Sequence, residues 1–339
     1  MLGTPYGLIV SGDVAAIGAA YEKMAGIPVD QELLSASPAD EFFQEQTTIG
    51  GPVEVSGPGT FLRKAHHTVT FRPCHEPGWW FSRRDLPSSL PIYVSVKNVW
   101  TTARNIVLCS GSPHNYMRMV EHIVALKAGM GVDNLIIDVQ SGDPPLFDRS
   151  SMDLVEAVES ARLVKTGREA VYVTVKEPVT MAAPNGGFLT FVPAENKRRH
   201  LEVDCAVDFN NAMGRQRIRF LVNRATFRQG AFARTNTNLW MMLYCKTVGK
   251  IFADVRNLGY TMRNILVAGP HHYFNQPRLV HNGKALEAVW HRATLDLLAA
   301  VALIDEGRFA GKIISYKAGH AVDVQMIKEL YQRGLLERV

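Results

Sequence analysis

The apolar residues of this chain change their spacing twice, from strand-like alternation to helix-like periodicity. After residue 47, segments such as PVEVSG (52–57) and HHTVTFRP (66–73) alternate apolar and polar positions, which is typical of strands. The run at 117–132 then follows helical spacing, with one apolar face formed by Met119, Ile123, Leu126 and Met130. The second half repeats this order, from strands at 170–175, 188–193 and 201–209 to a helix from about Leu286 to Glu306. The pattern predicts an α+β fold made of two similar modules.

The same pattern divides the chain into three segments. Residues 1–46 form an N-terminal extension with a short helix from Val14 to Met24. Residues 47–165 form the first α+β domain, which includes a helix from about Ser151 to Leu163, and VKTGRE at 164–169 is interpreted as a linker. Residues 166–339 form the second α+β domain, which closes with a helix from Val322 to Arg333.

Composition argues against several classes of protein. No stretch approaches the roughly 18 apolar residues of a membrane helix, and the N-terminus lacks the basic region of a secretory signal. The four cysteines form no CxxC pair, so neither a disulfide framework nor a cysteine zinc site is indicated. The net charge is +5, but the basic residues are not interleaved with aromatic residues, and this disfavours nucleic-acid binding. The positive charge does suit a small anionic substrate. We expect a monomeric, cytoplasmic protein without a transmembrane segment.

Three short segments carry side chains suited to metal-assisted hydrolysis. They are Glu121-His122, the stretch from His291 to Asp296, and the stretch from Lys317 to His320. Catalytic zinc prefers imidazole and carboxylate ligands with one position open for water. A neighbouring carboxylate can accept the proton of that water, and another histidine can protonate the leaving amine. Each segment alone is more simply explained as structural, so only the combination points to zinc chemistry.

The order and separation of these segments resemble the UDP-3-O-acyl-N-acetylglucosamine deacetylases, which are zinc enzymes of lipid A biosynthesis. The resemblance extends over residues 47–339. The segments that match the family are the opening strands at 47–86, the segment at 119–150 with VEHIVALKAGMGVDN, FRQGAFARTN at 227–236 and YKAGHA at 316–321. It implies two similar α/β sandwich domains of the ribosomal-S5-like type, packed face to face with the active site between them.

The resemblance also implies a metal centre and two catalytic groups. His122, His291 and Asp296 would bind Zn²⁺. Glu121 would act as the general base. His320 would act as the general acid, or as the cation that steadies the tetrahedral intermediate.

Further residues acquire expected roles in binding the substrate, an acylated UDP-amino sugar that loses its N-acetyl group. Thr235 would donate a hydrogen bond to the oxyanion. Lys317 would contact the anionic part of the substrate, and Arg292 is a second candidate for such a contact. The apolar run LWMMLYC at 239–245 is a candidate wall for the acyl chain.

The spacing of the second metal segment departs from the family by one residue. The family places its histidine and aspartate four residues apart on a helix, whereas His291 and Asp296 are five apart, or about 140° around an ideal helix. We hypothesise that one inserted residue is absorbed as a π-bulge, which would return both side chains to one face. The alternative is a regular helix in which Arg292 pairs with Asp296 and the metal ligand is lost.

Other departures leave two interpretations of activity open. Ala300 stands where the family has an aspartate that orients the catalytic histidine, and GTFLRKA at 59–65 lacks a family histidine. The family's DGS turn reads DRS at 148–150, and Asn236 replaces an aromatic residue. The chain is therefore either a zinc deacetylase, on this substrate or on another N-acetylated one, or a catalytically silent relative that binds a sugar nucleotide or a partner protein.

Overall fold

The N-terminal segment folds onto the rest of the chain. A computed structural model describes residues 6–61, 65–238, 240, 242, 244 and 259–339. Its first elements are β1 (Leu8–Ser11), α1 (Val14–Ala25) and β2 (Gln31–Leu33). Helix α1 begins where the side chain of Asp13 accepts a hydrogen bond from the Ala16 amide, as an N-cap residue does. The helix predicted from Val14 to Met24 is thus confirmed.

The next part of the chain combines several strands with α-helices. The elements are β3 (Glu45–Ile49), β4 (Val53–Pro58), β5 (His66–Pro73), β6 (Gly78–Arg83), β7 (Ile92–Tyr93), β8 (Val99–Thr101), β9 (Val107–Cys109), β10 (Tyr116–Met117), α2 (Glu121–Met130), β11 (Asn134–Val139), α3 (Met152–Ser160) and β12 (Leu163–Glu169).

The linker predicted at 164–169 is wrong, because this segment is strand β12. It pairs antiparallel with β3, with Leu163 opposite Ile49. Most of its side chains are exposed and polar, as in a linker, but its backbone groups are satisfied by the partner strand.

The remaining elements include the two helical stretches predicted near the C-terminus. They are β13 (Tyr172–Val175), β14 (Val179–Ala183), β15 (Gly187–Val192), β16 (Leu201–Asp208), β17 (Arg215–Leu221), α4 (Arg224–Gly230), β18 (Thr235–Asn238), β19 (Ile265–Ala268), β20 (Val280–His281), β21 (Lys284–Ala285), α5 (Glu287–His291), a π-helix (Arg292–Leu297), α6 (Leu298–Val301), β22 (Arg308–Phe309), β23 (Gly311–Tyr316), α7 (His320–Gln332) and β24 (Leu336–Arg338). The run LWMMLYC at 239–245 lies largely outside the described residues.

Two mixed sheets dominate the fold. The first has the strand order β4-β5-β11-β6-β7, and the second has the order β1-β14-β15-β23-β16-β17-β2. Strands β1 and β2 of the N-terminal segment therefore form the two edges of the larger sheet. Both sheets mix parallel and antiparallel pairings. For example, β11 lies between antiparallel β5 and parallel β6, and β23 lies between antiparallel β15 and parallel β16. This mixture of sheets and separate helices agrees with the predicted α+β class.

Helix α2 packs against the continuous rod formed by α5, the π-helix and α6, and α4 contacts both. Glycines allow the contacts of α4: a Cβ at Gly129 would lie 1.9 Å from the Phe227 ring, and one at Gly230 would lie 2.3 Å from Thr294. One hydrophobic cluster runs through both halves of the described chain. Among the described residues, no helix has the length and apolar character needed to cross a bilayer.

Candidate active site

Glu121 is a buried carboxyl group at the first position of α2. Its Oε1 accepts a hydrogen bond from the backbone amide of Ile106, and the residue is only 4% exposed. Burial raises the pKa of Glu121 above its ordinary value, because the charged form loses contact with water. The fold thus holds this carboxyl group in place and makes it more basic than a surface glutamate.

His122 follows on the same turn, and its hydrogen bonds define which ring nitrogen is free. The Ser151 hydroxyl donates to the backbone carbonyl of His122 and lies 3.2 Å from its Nδ1. Because the hydroxyl proton is already used, Ser151 accepts from Nδ1–H, which leaves the lone pair on Nε2. Burial, and then the neighbouring His291, lower the pKa of His122 to about 3. The ring is therefore neutral, which is the form that binds metal ions.

The π-helix confirms the hypothesis that the extra residue is absorbed in this rod. It spans Arg292–Leu297, immediately after His291. Because a π-helix closes i to i+5 hydrogen bonds, residues five apart return to nearly the same face. His291 Nδ1 accordingly lies 3.5 Å from Asp296 Oδ1. The alternative pairing in a regular helix is wrong, because Arg292 pairs with Asp323 and not with Asp296.

Five predicted site residues converge from three helical segments. The ring centroids of His122 and His291 are 5.5 Å apart. His320, the first residue of α7, places its Nε2 3.6 Å from Asp296 Oδ1 and 3.8 Å from Glu121 Oε1. Three imidazoles and two carboxylates thus lie close together at one junction.

The charges within this cluster stabilise one another. Burial opposes ionisation of Asp296, but the charges of His320 and His291 outweigh it and hold the Asp296 pKa below its usual range. Burial likewise disfavours the charged form of His320, yet Asp296 and Glu121 raise its pKa above the ordinary value. His320 is therefore suited to carry a proton at this site.

The donor groups at this junction are of the chemical types that bind zinc. His291 Nε2 is buried and has no hydrogen-bond partner in the described part of the chain. Together with the free Nε2 of His122 and the carboxylate of Asp296, it gives the nitrogen and oxygen ligands that zinc prefers. Within the described residues, no group of three such side chains is arranged to hold an ion as it stands. The fit therefore rests on donor chemistry and proximity.

The other three predicted residues have different positions. Thr235 begins β18, directly after Arg234, whose buried guanidinium donates to Glu287 at the start of α5 (Nε–Oε1, 2.7 Å). Lys317 borders a cavity of about 350 Å³ that His320 also lines. Arg292 is buried and directed into the protein, so its side chain does not reach open space.

Two neighbours of the site were not identified from the sequence. Ser151 fixes the His122 tautomer, and nothing in the sequence before α3 distinguishes it from other serines. Asp323 lies three residues after His320 on α7, and this helical spacing is a signal that could have marked it. His320 Nδ1 is buried and has no hydrogen-bond partner among the described residues.

The fold and this junction define a mixed α/β protein with a histidine–carboxylate centre of the kind found in metal-dependent hydrolases. The chain belongs to the UDP-3-O-acyl N-acetylglycosamine deacetylase family, whose profile matches residues 46–332. Similar proteins include the UDP-3-O-acyl-N-acetylglucosamine deacetylases of Brucella ovis, Brucella abortus and Brucella melitensis. Each is 27% identical over 290 residues, which covers 84% of this chain and 94% of the relative. The predicted family is thus confirmed.

Proposed function

We propose that this protein is a zinc-dependent hydrolase that removes the N-acetyl group from a UDP-3-O-acyl-N-acetylglucosamine-like substrate, as in lipid A biosynthesis. The observation that carries the proposal is the π-helix, which returns His291 and Asp296 to one face beside His122. A helix irregularity that brings two donor groups to one buried point is hard to explain by stability alone. The deacetylase relatives supply the matching activity.

His122, His291 and Asp296 would hold the zinc ion. Their support is the neutral state of His122, the unpartnered Nε2 of His291 and the ionised state of Asp296. When bound, zinc polarises the amide carbonyl and lowers the pKa of a water molecule towards about 7.

Glu121 takes up the proton of the attacking water. The Ile106 amide occupies Oε1, so Oε2 is the oxygen that accepts the proton. Its raised pKa helps because a general base works best when its pKa approaches the working pH. Burial also fixes the carboxylate before the substrate arrives.

His320 delivers a proton from Nε2 to the leaving amine. The ring lies between the carboxylates of Glu121 and Asp296, which favour its charged form. Thr235 donates to the developing oxyanion, and the Arg234–Glu287 ion pair fixes the backbone immediately before it. The water oxygen adds to the amide carbon, and once the nitrogen of the resulting tetrahedral intermediate is protonated, the C–N bond breaks and acetate and the free amine are released.

The UDP-sugar enters through the cavity beside His320. Its lining includes Lys317, Arg104 and Asn185, and the two cations suit a diphosphate. Lys317 therefore retains its proposed contact with the anionic substrate. For Arg292 we propose a positioning role instead, because its side chain is buried.

We also propose the finer expectations about architecture and setting. The two main sheets with their helices would correspond to two ribosomal-S5-like sandwiches, with boundaries at 1–46, 47–165 and 166–339. The protein would act as a cytoplasmic monomer, which agrees with its composition and with the unpaired state of the described cysteines, Cys74, Cys109 and Cys205.

A second candidate function is a catalytically silent relative that binds a sugar nucleotide. His320 Nδ1 has no partner among the described residues and position 300 is alanine. Both favour this candidate, because an imidazole whose Nδ1 is not hydrogen-bonded is less firmly oriented. It predicts binding of the UDP-sugar without acetate release.

Acetate release decides between the two candidates. Zinc-loaded protein is incubated with UDP-3-O-acyl-N-acetylglucosamine, and free acetate is measured against a chelator-treated sample. The proposal expects release that stops with chelation and returns with zinc. Binding of the UDP-sugar with no acetate above the Glu121→Gln background would favour the silent relative.

A further inference from the structure

A buried ion pair lies against the turn that precedes His320. Arg292, the first residue of the π-helix, donates from Nη2 to Asp323 Oδ1 at 2.5 Å. Asp323 lies in the first turn of α7, three residues after His320. Both side chains are shielded from solvent, at 8% and 0% exposure. The pair therefore connects the segment carrying His291 and Asp296 directly to the helix that begins with His320.

Arg292 holds both sides of this turn. Besides Asp323, its guanidinium donates to the backbone carbonyl of Ala318 at 2.9 Å and to the hydroxyl of Ser315, at the end of β23, at 3.3 Å. The donors thus reach the strand before the turn, the turn itself and the helix after it. Arginine suits this arrangement because its planar fork presents several N–H groups in fixed directions.

The turn requires such support because its backbone is strained. Lys317 has φ of 52°, in the left-handed region that non-glycine residues avoid. Such a conformation persists only where the surroundings determine it. The carbonyl of Ala206 accepts from the Lys317 amide, and Asn185 donates to the Lys317 carbonyl. Arg292 adds the third contact, on the side nearest to His320.

The ring of His320 is not oriented by any hydrogen bond from its Nδ1 side. Its Nδ1 is buried without a hydrogen-bond partner among the described residues. Since no hydrogen bond on that side fixes the ring, the position of Nε2 depends on where the backbone of the turn places it. A contact that fixes this backbone therefore acts on the proton donor.

Stability alone does not account for the pair. Arg292 Nη1 and Asp323 Oδ2 are both buried and have no partner in the part of the chain described. A buried ion pair with such unsatisfied atoms is often no more stabilising than apolar side chains of the same size. These unsatisfied atoms therefore point to a role other than stability.

We propose that Arg292 and Asp323 are positioning residues that set the place of His320 relative to Glu121 and Asp296. This inference rests on the proposed function, because it assigns the pair a part in that reaction. The pair touches neither substrate nor reacting atoms. Its effect is on the rate of proton delivery and not on substrate affinity.

The test replaces the whole pair, because removing one partner would leave a buried charge. Arg292→Met with Asp323→Leu is expected to fold, to bind about one zinc per chain and to keep KM within about twofold. Its kcat falls about 10- to 100-fold, since displacement of a catalytic group by about 1 Å costs that much. Arg292→Lys, which keeps the charge but loses the fork, gives an intermediate kcat.

A matched control separates positioning from general damage. Arg217 and Asp204 form a second, largely shielded ion pair, at 2.8 Å, within the larger sheet. Arg217→Met with Asp204→Leu should leave kcat unchanged, whatever its effect on thermal stability. A normal kcat in the Arg292/Asp323 double variant, or an equal loss in the control, would overturn the proposal.

Crystal structures keep the two proposals distinguishable. In the Arg292/Asp323 variant, residues 317–320 should shift and His320 Nε2 should move away from Asp296, whereas the control should retain the wild-type position. If the wild-type protein released no acetate, the proposed deacetylation would fail, and these structures would still decide the positioning role. An unmoved turn would contradict that role.

Discussion

The two helical segments that carry the metal-binding candidates differ in how they bring their site residues to one side of the helix. Helix α2 is regular and offers the adjacent residues Glu121 and His122 at its first turn, so no particular periodicity is required. The α5–π–α6 rod must bring together His291 and Asp296, which are five residues apart, and it does so by widening to a π-helix. The second segment therefore keeps two side chains on one face through a local change of helix type.

The largest effect is expected from replacing Glu121, the first residue of the regular helix α2. Glu121→Gln should lower kcat about 10³-fold, because the amide cannot accept the proton of water. Zinc content, measured by mass spectrometry of the metal, should stay the same, because Glu121 is not a ligand. Glu22→Gln, at an exposed position on α1, is the control. Loss of zinc from the Glu121 variant would show that α2 contributes a second ligand.

The rod is tested by removing its histidine. His291→Ala should reduce bound zinc from about one per chain to a small fraction, since a catalytic site has only three protein ligands. Equilibrium dialysis with zinc measures the loss. The control His271→Ala changes an exposed histidine and should retain the ion. Full zinc binding by the His291 variant would show that His291 of the rod is not a zinc ligand.

The difference in helix type can itself be changed by deleting one residue. Deletion of Ala293 shortens the separation of His291 and Asp296 to four, which is one face of a regular α-helix. We expect a folded protein that keeps its zinc. The matching deletion of Ala125 from α2 rotates the following residues by about 100° and should unfold the protein. Circular dichroism and zinc content give the readouts, and a folded Ala293 deletion without zinc would contradict the account.

A smaller effect, on stability, is expected from replacing Lys127, which links α2 to the end of the rod. Lys127 of α2 donates from Nζ to the carbonyls of Ala302 and Ile304, just beyond α6. Lys127→Met leaves these carbonyls unpaired and should lower the free energy of unfolding by about 2 kcal/mol. Chemical denaturation measures this loss, and Lys23→Met on the surface of α1 is the control.

The pH dependence of that loss has a definite sign. Burial lowers the pKa of Lys127 to about 8 from an ordinary value of 10.5. Below pH 8 both folded and unfolded states carry the proton, and the full desolvation cost is present. As pH rises from 8 to 10.5, the folded state loses the proton first, so the wild type gains stability relative to Lys127→Met, by an amount on the order of 3 kcal/mol. A constant difference across this range would contradict the lowered pKa.

The regular parts of the fold were predictable, because periodicity in the sequence reports helices and strands directly. The segment around α2 and the terminal helix α7 were recognised this way, and the spacing of His291 and Asp296 led to the π-helix. Strand β12 was missed, since an exposed polar strand at an edge has no apolar alternation to reveal it. The Arg292–Asp323 pair was also missed, because which charges meet across 31 residues depends on tertiary packing. Side chains on neighbouring turns can be inferred from spacing, whereas buried partners from separate elements need coordinates.

Anomalous X-ray scattering at the zinc edge, recorded from zinc-loaded crystals, tests the central claim most directly. The account predicts a single peak per chain within bonding distance of His122, His291 and Asp296, with the π-helix at Arg292–Leu297 intact. A peak that excludes Asp296, or no peak at this junction at full zinc occupancy of the protein, would contradict it.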